Sequence, residues 1–191
     1  MNRIDCMKRI FIALKVEAEE PLLTMFSSLK SGLSKDLIKL TSPDNIHITL
    51  AFLGNTEEKI IKNIGSMLKE KCSGSGTFEL ILKGLGVFRN LKDPRIIWTG
   101  IEHSEELIRL NNIIISGLND MNIKTEDRQF NPHLTIGRIK HLNDREKLKT
   151  LIKRFENSEM QIIPVEEIIL YESILFPTGA VYKPLAKFKL E

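Results

Sequence analysis

The sequence predicts an α+β protein, built as two pseudo-symmetric lobes of antiparallel sheet and helices around a central cleft. Three observations predict it. Helical segments alternate with strands joined by hairpin-length turns, not by the long crossovers of a βαβ fold. A coarse repeat runs through the chain: each half leads from a helix into a strand beginning His-apolar-Thr-apolar, then a capped helix, then two strands. The composition, 42% apolar and 28% charged over 191 residues, is that of one folded domain whose core needs no metal or disulfide staple.

The elements follow in order. Arg9–Lys15 is apolar and β-branched enough for a buried strand, and Met7 ahead of it sets residues 1–6 apart as an N-terminal extension to a domain over 7–191. Glu19-Glu20-Pro21 opens a helix that runs to about Leu29 and stops at Gly32. Ile38–Leu40 is a short strand, Ser42-Pro43-Asp44-Asn45 a turn, and Ile46–Leu53 a second strong strand. Asn55 with Glu58 reads as a capping box for a helix to about Lys71. After the Ser73–Gly76 break come strands over Thr77–Leu85 and Ile96–Ile101, flanking a basic loop from Gly86 to Arg95. Ser104 caps a helix carrying Leu107, Leu110, Ile114 and Leu118 on one face. A polar stretch, Asn122–Arg128, precedes a strand over His133–Ile139, and Asn143 caps a helix to about Phe155. Two last strands, Gln161–Tyr171 and Ala180–Leu190, meet at Phe176-Pro177-Thr178-Gly179.

Several classes are excluded. A formal net charge of +3 is too small for a histone-like polycation, though a local basic face is compatible with it. Cys6 and Cys72 have no ligand-like spacing, which argues against a disulfide framework or thiolate zinc site and fits a reducing cytoplasm. No apolar run approaches the ~18 residues of a membrane span, and Ile10–Leu14 is too short for a signal peptide.

The chemistry is carried by histidines. Of four, His103 and His141 stand beside helix caps and read as exposed loop residues. The others share a pattern, His47-Ile48-Thr49-Leu50 and His133-Leu134-Thr135-Ile136, which this composition would produce by chance about 5 times in 10,000. On a strand, His and Thr at i and i+2 share one face, about 7 Å apart, while the apolar residues turn to the core. If the lobes face each other, two imidazoles and two hydroxyls converge on one cleft. That set suits a tetrahedral anion held between an acid and a base, because an imidazole titrates near pH 6.5 and hydroxyls can donate to phosphate oxygens. Competing readings are a metal site, for which each strand offers one good ligand and no Asp or Glu, and a pair of histidines hydrogen-bonded inside the sheet.

With these residues the chain resembles the two-histidine phosphoesterase superfamily, and within it the bacterial and archaeal RNA 2′,3′-cyclic phosphodiesterases, long named 2′-5′ RNA ligases. The likeness runs from Met7 nearly to the end. It rests on Arg9–Ala13, His47–Gly54, Trp98-Thr99-Gly100, Arg128–Arg138, and Tyr171-Glu172-Ser173 with Gly179 and Tyr182. Ile136 stands where Leu is commoner, which changes nothing chemical. The resemblance implies a cleft between two lobes, no cofactor and no metal. The implied reaction is hydrolysis of an RNA-terminal 2′,3′-cyclic phosphate to a 2′-phosphomonoester, with reversible 2′-5′ ligation as its counterpart. It further implies proton transfer by His47 and His133, with Thr49 and Thr135 on the phosphate. The sequence leaves the two histidine roles interchangeable; the starting assignment has His133 activate water and His47 protonate the departing 3′ oxygen.

Arg138 matches a family arginine near the phosphate, yet lies an odd number of residues from His133. On an ideal strand it points the other way, so the role needs a bend or bulge after Gly137. Arg89 and Lys92, in a basic stretch with Lys83 and Arg95, and Arg128 are candidates for the RNA backbone. Phe130 is the candidate for stacking on the terminal base, whereas Trp98, between Ile97 and Thr99, reads as core. The expected partner is an RNA end, tRNA-derived ends included, met by a cytoplasmic monomer. The alternatives are a phosphodiesterase for a small cyclic phosphate, or a non-catalytic RNA-binding module of the same fold.

Overall fold

A single residue, Glu166, separates two strands that lie at nearly opposite ends of one sheet. The computed structural model describes residues 7–125 and 129–191. Its strands are β1 (Met7–Lys15), β2 (Leu37–Leu40), β3 (His47–Glu57), β4 (Phe78–Phe88), β5 (Ile96–Ile101), β6 (His133–His141), β7 (Glu159–Val165), β8 (Glu167–Phe176) and β9 (Gly179–Lys189). The α-helices are α1 (Leu22–Gly32), α2 (Glu58–Cys72), α3 (Glu105–Asp120) and α4 (Arg145–Phe155), with one 3-10 turn at Pro43–Asn45. The sheet order is β7-β4-β5-β6-β3-β1-β8-β9, with β2 paired to β6. One residue spans at most ~3.6 Å, so β7 and β8 can be consecutive in the chain only if the sheet curls until its ends approach.

The curl has two arms that meet in the middle. β6, β5, β4 and β7 form one, packed against α1 and α4; β3, β1, β8 and β9 form the other, packed against α2 and α3. The lobes are therefore not the two halves of the chain. α1 precedes β3 in sequence but packs on the far arm, and α3 precedes β6 but packs on the arm of β3. This exchange puts both His-Thr strands at the centre of the sheet. Ile48, Leu134 and Ile136 are fully buried there, with Leu50 nearly so, on the face that carries the helices. The opposite face of β1 and β8 holds a smaller cluster of Phe11, Ala13, Ile169 and Tyr171, flanked by Phe52 and Tyr182.

Four sequence expectations are corrected. Asn55 caps nothing, because β3 runs on to Glu57 opposite Met7–Arg9 and α2 starts at Glu58 without a side-chain cap. The extended β1 supplies ladder bonds that a cap would forfeit. Asp144, not Asn143, caps α4 by accepting from the Lys147 amide at 2.9 Å; Asn143 is held instead by Asp36 and the Lys35 carbonyl. Gln161–Tyr171 is two strands, since β7 pairs with β4 and β8 with β1. The basic loop is shorter than expected, with Gly86–Phe88 joining the ladder against Ile96–Trp98. Ser104 caps α3 as expected, accepting from the Leu107 amide at 3.2 Å. Residues 1–6 lie outside the described residues, and no described helix is long and apolar enough to cross a membrane.

Candidate active site

β3 and β6 run antiparallel and share the sheet through Ile48 and Leu134. Stepping one residue along that register brings Thr49 alongside His133 and His47 alongside Thr135. The register thus sets each histidine across from the threonine of the other motif.

Both rings are oriented in the same way. His47 Nδ1 lies 2.6 Å from the Asn45 carbonyl, and His133 Nδ1 lies 2.8 Å from the Asn131 carbonyl. A carbonyl only accepts, so each Nδ1 carries the hydrogen and donates it, which leaves Nε2 of both rings to exchange protons. Aromatic walls hold the rings in place. His47 packs between Phe11 and Tyr182, each 5.0 Å away, and His133 packs perpendicular to the Phe88 ring at 4.7 Å. Burial pushes the His47 pKa below its ordinary value, outweighing the Asn45 hydrogen bond, and the nearby charges of His133 and Arg138 push it the same way.

A bulge follows each threonine. On β3, Thr49 pairs with Ala13 and Ala51 with Ile12, so Leu50 is the extra residue. On β6, Thr135 pairs with Trp98 and Gly137 with Ile97, so Ile136 is extra. The second bulge answers the parity problem of Arg138, one residue earlier than the sequence suggests. Past Ile136 the alternation reverses, Ile139 turns to the core, and Arg138 is exposed on the His-Thr face. Phe52 is the corresponding residue five positions after His47, and Arg9 stacks on it at 4.8 Å. Arg9, Arg138, His47, Thr49, Ser173 and Tyr182 line a small cavity of about 250 Å³. His133 lines a larger cleft of about 860 Å³, and Thr49 borders both.

The expected RNA contacts divide. Phe130 and Arg89 line the large cleft. Lys92 is exposed on the β4–β5 loop and borders neither cavity. Arg89 and Arg95 share the single carboxylate of Asp93, at 2.6 and 3.1 Å, and Lys83 pairs with Glu102 at 3.0 Å, so about half of the positive charge of the basic stretch is balanced locally. Trp98 packs on Phe88 at 5.5 Å. Thr135 is half-buried and lines neither cavity. Arg128 lies outside the described residues. His103 and His141 are exposed, His141 at the end of β6 beside Asn143. Among the described residues, no three His, Cys, Asp or Glu side chains gather as a metal-ion cluster.

Sequence reasoning gave no site role to the aromatic clamps Phe11, Tyr182 and Phe88, nor to Arg9 and Ser173, although Arg9, Phe11, Ser173 and Tyr182 stand in the stretches that carry the family likeness. A further signal was present: asparagine stands two residues before both histidines, so the repeat is Asn-x-His-x-Thr.

Comparison with known proteins agrees with this geometry. Residues 39–173 match the family model of the 2′-5′ RNA ligase superfamily. The chain is 33% identical to an RNA 2′,3′-cyclic phosphodiesterase of Methanothermobacter thermautotrophicus, covering 95% of this chain and 98% of that one. It is 32% identical to an RNA 2′,3′-cyclic phosphodiesterase of Archaeoglobus fulgidus, covering 95% and 99%. A crystal structure from Thermus thermophilus superposes with a TM-score of 0.78 at 25% identity, over 95% of this chain and 97% of that one.

Proposed function

The chain belongs to the 2′-5′ RNA ligase superfamily, and from that premise we propose that it is an RNA 2′,3′-cyclic phosphodiesterase. It opens the terminal ring to a 2′-phosphomonoester and a free 3′ hydroxyl. The observation that carries the reading is the crossed pair of His-Thr strands, with both Nδ1 atoms facing carbonyls and both Nε2 atoms left to move protons.

In this reading water attacks phosphorus in line with the 3′ oxygen. His133 takes the water proton on Nε2, the P–O3′ bond breaks, and His47 delivers its Nε2 proton to the departing oxygen. Thr49, Thr135 and Arg138 hold the non-bridging oxygens, where charge builds in the transition state. With the 5′ hydroxyl of a second strand in place of water, the same displacement joins the strands through a 2′-5′ linkage, and its reverse cleaves that linkage back to the cyclic phosphate and a 5′ hydroxyl.

The assignment requires His47 to gain a proton that burial and its cationic neighbours disfavour in the free protein. The substrate supplies the charge. A phosphate anion ~4 Å away stabilises an imidazolium by about 4 kcal/mol at an effective dielectric constant of about 20. A tenfold change in protonation takes only about 1.36 kcal/mol. Binding therefore places the proton where the reaction uses it.

Phosphorus NMR on a short RNA ending in a 2′,3′-cyclic phosphate, with excess EDTA, tests the proposal. Conversion to a single 2′-phosphomonoester is expected. An intact ring after prolonged incubation, with the RNA bound, would turn the cleft into a binding module. Turnover that EDTA abolishes would overturn the histidine mechanism.

A further inference from the structure

Helix α3 carries a polar residue where its own pattern asks for an apolar one. Leu107, Leu110, Ile114 and Leu118 form its buried stripe, and Asn111 stands among them at 3% exposure. Asparagine is a weak helix former, and a buried amide costs free energy unless it is paired. Half of the amide is paired: Nδ2 donates to the Leu50 carbonyl at 2.8 Å. Leu50 is the extra residue of the bulge after Thr49, so α3 braces the strand at the point where the site begins.

That bond also fixes which way the amide faces. A backbone carbonyl cannot donate, so the atom toward Leu50 is the nitrogen, and Oδ1 is turned away from it. Asn111 lines the large cleft that starts at His133 and Thr49. Among the described residues no donor reaches Oδ1, and it is not one of the side-chain atoms sealed away without a partner. Across the same cleft stand the rings of Phe52, Phe88 and Phe130. A nucleobase can stack on aromatic rings whatever its identity, so stacking alone does not choose among bases. A rigid acceptor beside the rings does.

The geometry points to Asn111 as a specificity-determining residue that reads the terminal base of the RNA, its Oδ1 accepting from the exocyclic amine of adenine or cytosine. Uracil carries a carbonyl in the corresponding place and repels the acceptor. This inference rests on the phosphodiesterase reading given above, since it takes the large cleft as the seat of the last nucleoside.

The test compares kcat/KM on short RNAs identical but for the terminal base before the cyclic phosphate. Ends in adenine and cytosine are expected to react about 3- to 10-fold faster than ends in uracil, the worth of one neutral hydrogen bond. In Asn111→Ala that ratio should fall to about one. A merely structural role would lower all ends equally and leave the ratio standing, which would overturn the inference. Should the variant not fold, purine riboside in place of the terminal adenosine removes the amine from the substrate; it should lose the same factor, and undiminished turnover would also overturn the inference. Equal turnover of all ends by the unaltered protein sinks this inference alone, whereas no turnover of any end sinks the phosphodiesterase reading beneath it.

Discussion

Thr49 sits beside His133, on a different strand from the histidine that shares its motif, because Ile48 and Leu134 are the pair through which β3 and β6 join. The same register sets His47 beside Thr135. Each arm alone supplies one histidine and one threonine on one strand face; the two pairs come together only where the arms meet. The geometry of the site therefore depends on the packing of two fully buried side chains, Ile48 and Leu134. Truncating either to Ala should cost about 2–5 kcal/mol of stability.

His47→Ala and His133→Ala should each lower kcat on a cyclic-phosphate RNA end by at least ~10²-fold, the usual worth of a positioned acid or base. Because both proton transfers belong to one displacement, the double variant should lose much less than the product of the single losses. Near-wild-type turnover by either single variant would remove that histidine from the mechanism.

Thr49→Ala and Thr135→Ala should each cost less than the histidine changes, and not equally. Thr49 borders both cavities, whereas Thr135 lines neither. A hydrogen bond to a charged group is worth about 1.5–3 kcal/mol, so Thr49→Ala should lose about 10- to 100-fold in kcat/KM and Thr135→Ala less. Thr49→Ser, which keeps the hydroxyl, should recover most of the loss. Larger effects at Thr135 than at Thr49 would contradict this ordering.

The depressed pKa of His47 has a direction that can be checked. Burial lowers it first, and the charges of His133 and Arg138 lower it further. In the free protein the His47 ring should therefore titrate below the ordinary ~6.5, being neutral at pH 7. A phosphate in the site reverses the sign of the local field, so the titration should move upward with inorganic phosphate or a 2′-nucleotide. One limb of the kcat/KM profile, which reports free protein, should accordingly lie lower than the matching limb of kcat. Ring NMR titrations measure both states; a His47 titration that ignores phosphate would transfer the acid role to His133.

Much of the site could be read from the sequence because strand periodicity converts spacing into facing. His47, Thr49, His133 and Thr135 needed only the alternation of side chains and the repeat. Arg138 shows where that logic stops. Counted along an ideal strand it faces away from His133, and the bulge at Ile136 that turns it round is set by pairing with Ile97 and Trp98, some forty residues earlier. Long-range pairing also explains the misread elements. Gln161–Tyr171 looks like one strand until β4 claims one part and β1 the other, and the two lobes look like two halves until α1 and α3 exchange arms. Asn111 was invisible for a related reason, since only the bulge at Leu50 gives a buried amide on α3 anything to bind.

Gly86 should be the most sensitive glycine for catalysis without touching substrate. It pairs with Trp98 across β4 and β5, and a Cβ there would land inside van der Waals contact of the indole. Among the described residues, Trp98 Nε1 is buried without a hydrogen-bond partner, so packing alone locates the ring. The indole packs on Phe88, and Phe88 packs perpendicular to the His133 ring. Gly86→Ala should thus cost about 1–3 kcal/mol of stability by overpacking and lower kcat with little change in KM. The chain has one tryptophan, so its fluorescence reports any displacement of Trp98 directly. Gly65→Ala is the control, because its Cβ would meet only the tip of Phe188 at 3.8 Å and Ala favours a helix over Gly by about 0.5–1 kcal/mol. Full kcat in Gly86→Ala, with a shifted Trp98 spectrum, would show that the aromatic relay does not hold His133.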